Sequence, residues 1–502
     1  MKKHVNFFSI GLFILTSIFI AASLQTARTM LPNVDEAWFT LPGFNLAEHG
    51  FFGTTILDET SSFRQVKFDG INSYTYWIMP VFPLIQAGWG KLVGFGLIET
   101  RAISIMFGVI ALVSWTILIK ILARNDAVAL TTAALMALDY HFVYAGSLGR
   151  MDMATVSLGV TGLAVYAWLR EKDLNYAVAA GFTLTSLAFF THPLGLMWAV
   201  SLAILIALLD LKQVRLRHFA FAAAPYIVLG LGWLVYISQR PDLFAIQFGG
   251  NASDRWGFFR SPVAEFLREV QLRYLVNFGI GEGLSEFGRI KIMILTSCVL
   301  AILCVLVLRP LRNQVVSRFL LIMVAQQFLM LLILDGMKQP YYMIYITPTL
   351  TAILAIWLHW LWTKNNSLKI VATAVFSFVL LINAAICIQR VRKDPLHANF
   401  LQAGSLLNER ARAGDTVMAS AEFWFTLDKK IDLVDDYRLG FVSGRKADFI
   451  VIDAPRYRDW HTRLALYDPA TDEYIKHLIA SEYEVIYDDP VYQIYKRSSL
   501  PL

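Results

Sequence analysis

The sequence is poor in charge for its length. Only 16% of its 502 residues are Asp, Glu, Lys or Arg, whereas 57% are hydrophobic. A soluble domain normally carries about 25% charged residues, so the surplus apolar residues must face lipid. The composition therefore excludes an ordinary soluble globular protein. It predicts a polytopic α-helical membrane protein.

Cysteine is scarce as well, and so are the features of several other protein classes. The three cysteines, Cys298, Cys304 and Cys387, lie in apolar runs, which excludes a disulfide framework and a Cys-based metal site. The sequence shows no internal repeat, no low-complexity tract and no block of like charges. Its net charge of +6 is mild, and no nucleic-acid motif is visible, so we expect no nucleic-acid partner.

Apolar runs long enough for helical crossings occur throughout the first 390 residues. We expect about eleven transmembrane helices, at 5–24, 102–119, 127–138, 153–169, 176–191, 193–209, 219–239, 292–308, 319–334, 339–358 and 370–389. The first run predicts a retained signal anchor because it exceeds a usual signal-peptide core. Residues 77–96 contain Pro80 and Pro83, and we interpret them as a juxtamembrane segment.

The distribution of basic residues predicts the orientation. The segments assigned to the inner side (2–4, 120–126, 170–175, 210–218, 309–318 and 359–369) contain fourteen Lys or Arg, and the short outer loops contain two. Positive residues concentrate on the cytoplasmic side, so we expect a cytoplasmic N-terminus and an extracytoplasmic C-terminus. Short inner loops in a compact chain indicate a bacterial inner membrane.

Two domains are predicted. A transmembrane domain covers 1–390, with long outer loops at 25–101 and 240–291, and a soluble extracytoplasmic domain covers 391–502. Short strand-like runs in the tail (TVMASAEFWF, ADFIVIDA and YEVIYDDPVYQIYKR, with a turn at DDP) alternate with helical patterns and indicate a small α/β domain. We expect its acids, such as Asp435, Asp436 and Asp489, on a solvated face.

Four polar clusters fall on the predicted outer side. They are Asp35-Glu36 with Arg64, Lys67 and Asp69; Arg150 with Asp152; His192; and Lys338 with Tyr341 and Tyr342. Charges at a membrane edge are costly, so they need partners or a task. A carboxylate there can deprotonate a hydroxyl acceptor that attacks a sugar, while Arg and Lys hold a phosphate leaving group.

Each cluster also has a purely structural interpretation. Asp35 is well placed to cap a helix running from Glu36 toward Glu48. His192 lies in Thr-His-Pro, which is typical of a helix start. Arg150 and Lys338 can snorkel from helix ends. A divalent cation could bind Asp35, Glu36 and Asp69 through oxygen, although no spacing requires one.

The order of these motifs resembles the GT-C glycosyltransferases, within them most closely the protein O-mannosyltransferase and aminoarabinose-transferase-like group. The motifs are DEAWFTLPGFNLAEHGFF, SYTYWIMPVFPLIQAGWGKLVG, Arg101 at the start of a span, GSLGRMDM, FFTHPLG and KQPYYMIYITPTL. They cover most of residues 1–390. Many relatives carry Lys-Pro-Pro where this chain has Asn72-Ser73-Tyr74, and Lys67 or Arg64 could substitute for that lysine.

The resemblance implies transfer of a monosaccharide from a polyprenyl-phosphate carrier to a hydroxyl acceptor on the outer face, with inversion. By position, Asp35 is the candidate base and Glu36 its neighbour on the acceptor side or behind it. Arg150 and Lys338 are candidates for the carrier phosphate. The implied lining residues are Asp152, which could orient Arg150, together with His192, Tyr341 and Tyr342.

Two functions of other classes compete with this one. The chain could be a transporter or flippase of lipid-linked sugars, although such proteins often show repeats and ionisable residues at mid-membrane. It could also be a non-catalytic membrane subunit that presents the C-terminal domain to a partner. The paired acid and the bases on the outer side favour the enzyme.

Overall fold

The computed structural model describes residues 7–60, 62–63, 66–253, 255, 259, 261–281 and 286–498. Within them, eight helical segments are long and apolar enough to cross a membrane, and a ninth is obtained if a pair bent by 63° is one span. The eight lie at Phe7–Thr29, Leu97–Ala123, Met151–Leu169, Leu174–Thr191, Pro193–Gln213, Leu216–Ile237, Val315–Leu334 and, continuing into the C-terminal domain, Asn366–Arg410. The bent pair is Asp126–Leu138 with Tyr140–Gly146.

Two further helices lie where the remaining spans are predicted. Ile292–Val307 and Thr347–Trp362 have 16 residues each, slightly short of a full crossing. The latter begins later than the predicted run because Pro340–Tyr345 forms a 3₁₀ segment. The juxtamembrane segment contains the helix Val81–Val93, whose 13 residues are too few to span. A count of eleven spans stays a prediction, whereas the polytopic helical membrane domain is confirmed.

Packing separates the bundle's interior from its lipid face. Met151–Leu169 packs between Leu174–Thr191 and Leu97–Ala123 and buries most of its length. Leu216–Ile237, by contrast, exposes apolar side chains such as Leu231 and Val235. Such exposure is unfavourable in water and favourable in a bilayer, so this helix lies at the lipid boundary.

The two long loops that are predicted on the outer side contain their own helices. The first loop forms Val34–His49, the β-hairpin strands β1 (Ser62–Phe63) and β2 (Val66–Lys67), and Val81–Val93. The second forms Pro241–Ser253, Pro262–Arg268, a π-helical Glu269–Val276 and Glu286–Arg289. A short helix, Arg309–Arg312, follows Ile292–Val307.

The helix Val34–His49 corrects one sequence prediction. Its N-cap is Asn33, not Asp35: the Asn33 side chain accepts from the N–H of Asp35, and the Glu36 side chain accepts from the N–H of Asn33. This capping box satisfies the first-turn donors without using the Asp35 carboxylate. The helix starts two residues earlier than predicted, which leaves that carboxylate available for other contacts.

The C-terminal domain contains a five-stranded mixed sheet, as the strand-like runs predict. Its order is β4 (Asp432–Val434), β3 (Thr416–Met418), β5 (Phe449–Asp453), β7 (Tyr492–Arg497) and β6 (Tyr483–Asp488). The parallel pairs are β3 with β4 and with β5; the other two pairs are antiparallel. Its helices are Leu401–Arg410, Asp459–Tyr467 and Pro469–Glu482, and the predicted DDP turn joins β6 to β7.

Asp435 joins this domain to the first outer loop. Its carboxylate accepts hydrogen bonds from Trp38 Nε1 (3.0 Å), Arg456 Nη1 (2.7 Å) and Tyr457 Oη (3.0 Å), and its backbone N–H donates to Ile56 O (2.7 Å). The prediction of a solvated acidic face is therefore wrong here. It is wrong for the two other acids as well. Asp436 is buried, and Asp489 is half-buried and accepts three hydrogen bonds from the β6–β7 turn and Tyr487.

Candidate functional site

A cavity of about 1430 Å³ lies between the membrane helices and the C-terminal domain. The walls contributed by the helix ends and the second outer loop are mainly apolar and include Phe189, Leu196, Phe248, Ile333 and Leu334. The walls contributed by the C-terminal domain are mainly polar and include Glu422, Asp453, Arg456, Asp459 and Trp460. The cavity can therefore accommodate a molecule that is part lipid and part polar.

Asp35 lies on the wall of this cavity and forms an ion pair with Arg150. Arg150 precedes the first turn of Met151–Leu169, and its Nε donates to Asp152 Oδ2 at 2.9 Å. Its guanidinium also lies over the ring of Tyr341, 4.1 Å from the centroid. Burial acts to lower the pKa of Arg150, but the charge of Asp152 and the tyrosines outweigh it and raise that pKa. Arg150 stays charged at physiological pH.

Glu36 faces away from the cavity, into the protein. It is fully buried and forms a two-pronged ion pair with Arg101, with Nε–Oε1 at 2.9 Å and Nη2–Oε2 at 2.8 Å. Its Oε1 also accepts from the N–H of Gly149 at 2.7 Å. A Cβ on Gly149 would lie 2.4 Å from Thr100 Cγ2, so only glycine lets that N–H approach. Glu36 thus supports the loop that presents Arg150.

Arg101 completes this buried support. Its guanidinium donates to the carbonyls of Ala27 (2.5 Å), Met30 (2.9 Å) and Leu31 (3.0 Å) at the end of the first span. All five N–H donors of the Arg101 guanidinium are thereby hydrogen-bonded, to one carboxylate and three carbonyls. The sequence motif at the start of this span marks Arg101, but only the structure pairs it with Glu36, 65 residues earlier.

His192, Tyr342 and Arg255 form a second polar group on the cavity wall. His192 Nδ1 accepts from the N–H of Leu194 (3.1 Å), which caps the turn Pro193–Gly195, and Nε2 lies 3.3 Å from Tyr342 Oη. Arg255 Nη1 donates to the same hydroxyl at 3.2 Å. His192 therefore both caps the turn, as the Thr-His-Pro pattern predicts, and lines the cavity.

The protonation state of His192 follows from this environment. Burial lowers its pKa from the ordinary value of 6.5 to about 4, so the imidazole is neutral above pH 5. Because Nδ1 accepts a hydrogen bond, the neutral ring carries its proton on Nε2, which points to Tyr342. His192 is therefore a poor acid catalyst, and it contributes a neutral polar group to the cavity wall.

Lys338 does not line the cavity. Its backbone is left-handed (φ 56°), and its ammonium is buried beside Glu265 (3.3 Å) and Glu269 (3.4 Å), donating to Leu332 O. In the same network Arg273 pairs with Glu269 and Asp335. This network fastens the second outer loop to the chain before Pro340–Tyr345, and it points Lys338 away from any phosphate in the cavity.

The remaining predicted site residues are not brought to the cavity. Lys67 and Asp69 are exposed and lie outside its lining, and Arg64 lies outside the described residues. Since Glu36 is paired with Arg101, the divalent site considered at Asp35, Glu36 and Asp69 is not assembled. Throughout the described part of the chain, no group of three or more His, Cys, Asp or Glu could hold a metal ion.

Sequence reasoning missed five arginines that line the cavity. They are Arg255, Arg390, Arg438, Arg456 and Arg463. Arg390 directly follows the last predicted span and lies over the ring of Tyr144, 4.5 Å from the centroid. Its place directly after an apolar run, followed by Arg392 and Lys393, was the available signal. Arg255 and Arg456 lie in segments with no local pattern that points inward.

Solved structures of two transferases resemble this architecture. ArnT from Cupriavidus metallidurans bound to undecaprenyl phosphate has a TM-score of 0.60 at 11% identity over 98% of both chains. The Archaeoglobus fulgidus oligosaccharyltransferase, apo, has a TM-score of 0.55 at 13% identity over 99% of this chain and 75% of that one. Its complex with an inhibitory peptide and a dolichol-phosphate gives the same values. No family model and no curated protein sequence matches.

The chain has the GT-C fold. The GT-C fold that the motif order implied is therefore confirmed across nearly the whole length, including the C-terminal domain. With its apolar helices, the GT-C fold makes the protein an integral membrane protein. The identities are low, so the likeness establishes the fold, and the chemistry must be argued from this chain's own cavity.

Proposed function

We propose that the protein transfers a monosaccharide from a polyprenyl-phosphate donor to a hydroxyl acceptor in this cavity. The observation that carries the proposal is the Asp35–Arg150–Asp152 group on the wall of a half-apolar, half-polar cavity in a GT-C fold. A lipid chain fits the apolar walls, and an acceptor fits the polar ones. ArnT and the oligosaccharyltransferase, both solved with lipid phosphates, support this choice.

Arg150 is the residue that binds the carrier phosphate. It is held by Asp152 on one side and pairs with Asp35 on the other, above Tyr341. An arriving phosphate competes with Asp35 for the guanidinium, since both are oxyanions. When the phosphate takes that position, Asp152 keeps Arg150 in place and Asp35 is released. Arg255, on the same cavity, supplies a second cation.

The released Asp35 is the base. Its carboxylate takes the proton of the acceptor hydroxyl as that oxygen attacks the anomeric carbon, and the bond from that carbon to the phosphate oxygen breaks. The electron pair leaves with the phosphate, whose charge Arg150 stabilises. One displacement inverts the anomeric centre. A paired carboxylate is a weak base, so donor binding activates Asp35 by removing its partner.

The setting of the reaction follows from the charge distribution. Among the short loops between spans, those on the inner side carry far more Lys and Arg than those on the outer side, which supports a cytoplasmic N-terminus and a cavity on the outer side. We take the membrane to be a bacterial inner membrane, with residues 1–390 as the membrane domain and 391–502 as the outer domain. Lys338 and Glu36 have supporting roles in this mechanism, and Lys67 has none.

The test is transfer by the purified full chain in nanodiscs. A synthetic polyprenyl-phosphate hexose and a crude envelope extract are supplied, and the product is measured by mass spectrometry. We expect labelled sugar in the extract and free polyprenyl phosphate in equal amounts. Movement of intact donor across proteoliposomes with no transfer would identify a flippase. If the protein neither transfers the sugar nor moves the donor, and does not bind the lipid, it would be a non-catalytic subunit.

A further inference from the structure

Two carboxyl groups on the polar wall have no part in the mechanism above. Glu422 lies in the 3₁₀ segment Ala421–Phe425, and Asp453 ends strand β5. Both line the cavity, yet Glu422 is only 6% exposed and Asp453 only 1%. Glu422 Oε2 and Asp453 Oδ2 accept no hydrogen bond from the described part of the chain. Buried acceptors are nearly always paired, so both oxygens indicate a ligand.

The surrounding groups are already engaged. Asp453 Oδ1 accepts from Ser420 Oγ (2.5 Å) and from the N–H of Tyr457 (3.3 Å). Arg456 is the neighbouring cation, but its Nη1 donates to Asp435. Burial, followed by the charge of Asp453, raises the pKa of Glu422 well above its ordinary value, and burial raises that of Asp453. A neutral carboxyl group both donates and accepts hydrogen bonds.

The chemistry of this wall restricts the ligand. Two carboxyl groups offer no positive charge to a phosphate or carboxylate, and a pair that is not fully ionised does not select a cation. Aromatic rings of Trp460 and Tyr492 line the same cavity. Vicinal hydroxyls that meet carboxyl groups, with a ring face against aromatic side chains, are the mark of a sugar. A peptide carries fewer hydroxyl groups than a sugar on the same surface area.

We propose that Glu422 and Asp453 form a binding site for an uncharged saccharide that serves as the acceptor, which rests on the proposed transfer reaction. The site is joined to the candidate base. Trp38, one turn after Asp35 on the same helix, donates to Asp435, and Asp435 also accepts from the N–H of Ala421, the residue before Glu422. A sugar bound there lies on the acceptor side of the cavity.

The experiment measures the initial rate of transfer against the concentration of envelope extract. Three variants, Glu422→Ala, Glu422→Gln and Asp453→Asn, are compared with a control. The control is Glu482→Gln, whose carboxylate pairs with Lys446 outside the cavity. We expect Glu422→Ala to raise the half-saturating extract concentration roughly tenfold, as loss of one hydrogen bond to a buried group does. Glu422→Gln, which keeps a hydrogen-bonding group, should raise it less. The maximal rate and undecaprenyl phosphate binding should stay unchanged.

Pretreatment of the extract identifies the ligand class. Periodate, which cleaves vicinal diols, should abolish acceptor function, and protease should not. The proposal is overturned if periodate has no effect, if protease abolishes acceptance, or if Glu422→Ala lowers only the thermal unfolding midpoint. If the unaltered protein transfers no sugar at all, the proposed reaction itself is contradicted. Binding of undecaprenyl phosphate is measured separately from transfer. Because Glu422 Oε2 has no partner, Glu422→Gln should leave the unfolding midpoint unchanged.

Discussion

Two acid–base groups that begin at the neighbouring residues Asp35 and Glu36 look alike in sequence and differ in structure. The cavity group is Asp35, Arg150 and Asp152, where Arg150 stands between two carboxylates at the wall. The scaffold group is Glu36 with Arg101, fully buried and saturated with hydrogen bonds. The first can exchange a partner for a ligand, and the second cannot without unfolding its surroundings. The two groups have similar charges. They differ in the number of hydrogen-bond partners that each side chain has and in whether the cavity reaches it.

The largest effect on stability should come from breaking the scaffold group. Glu36→Gln leaves the Arg101 guanidinium buried without a counter-charge, which costs about 3–5 kcal/mol. We expect a lower midpoint of thermal unfolding, followed by tryptophan fluorescence in nanodiscs. The matched control is its neighbour, Asp35→Asn, which leaves Arg150 paired with Asp152 and should change the midpoint little. Equal losses in the two variants would remove the distinction.

An intermediate effect is expected on lipid binding, from two cations that sequence reasoning treats alike. Arg150→Met should weaken the binding of undecaprenyl phosphate by about 1.5–3 kcal/mol, roughly ten- to a hundredfold, because a charge-assisted bond is lost. Lys338→Met should leave that affinity nearly unchanged, since Lys338 faces Glu265 and Glu269. Titration with the lipid measures both. A larger loss for Lys338→Met would reverse our assignment.

The smallest effect concerns pH. The pKa of His192 is lowered on folding to about 4, so between pH 6.5 and 4 the unfolded chain binds a proton that the folded chain does not. Stability should therefore fall as the pH falls through this window, by about 1–2 kcal/mol at pH 5. His192→Gln should flatten this part of the curve of unfolding midpoint against pH. An unchanged slope would mean that His192 is protonated or exposed.

The comparison also shows what the sequence can predict. Hydropathy and motif order were enough to predict a helical membrane protein of the GT-C fold with a small C-terminal α/β domain, because membrane spans depend on local composition. Asp435 was assigned to the solvent because its partners, Trp38 and Arg456, are 397 and 21 residues away. Lys338 was assigned to phosphate, but a left-handed backbone and buried glutamates turn it inward.

The different roles of two residues adjacent in sequence were the hardest feature to predict. Asp35 and Glu36 lie on different faces of one helix, and the one-residue difference sends one carboxylate to the cavity and the other to Arg101. The cap at Asn33 fixes that rotation, and the sequence allowed the cap to be read two residues later. Side-chain direction near a helix start depends on the cap, so an error there changes every assignment that follows.

The central claim is that Asp35 is the base and Arg150 the phosphate ligand. The most direct test is the pre-steady-state rate of sugar transfer by Asp35→Asn, measured beside its binding of undecaprenyl phosphate. We predict transfer slower by about two to four orders of magnitude, as loss of a general base causes, with lipid binding equal to or tighter than that of the unaltered protein because Arg150 has lost a competitor. Transfer at an undiminished rate would contradict the account.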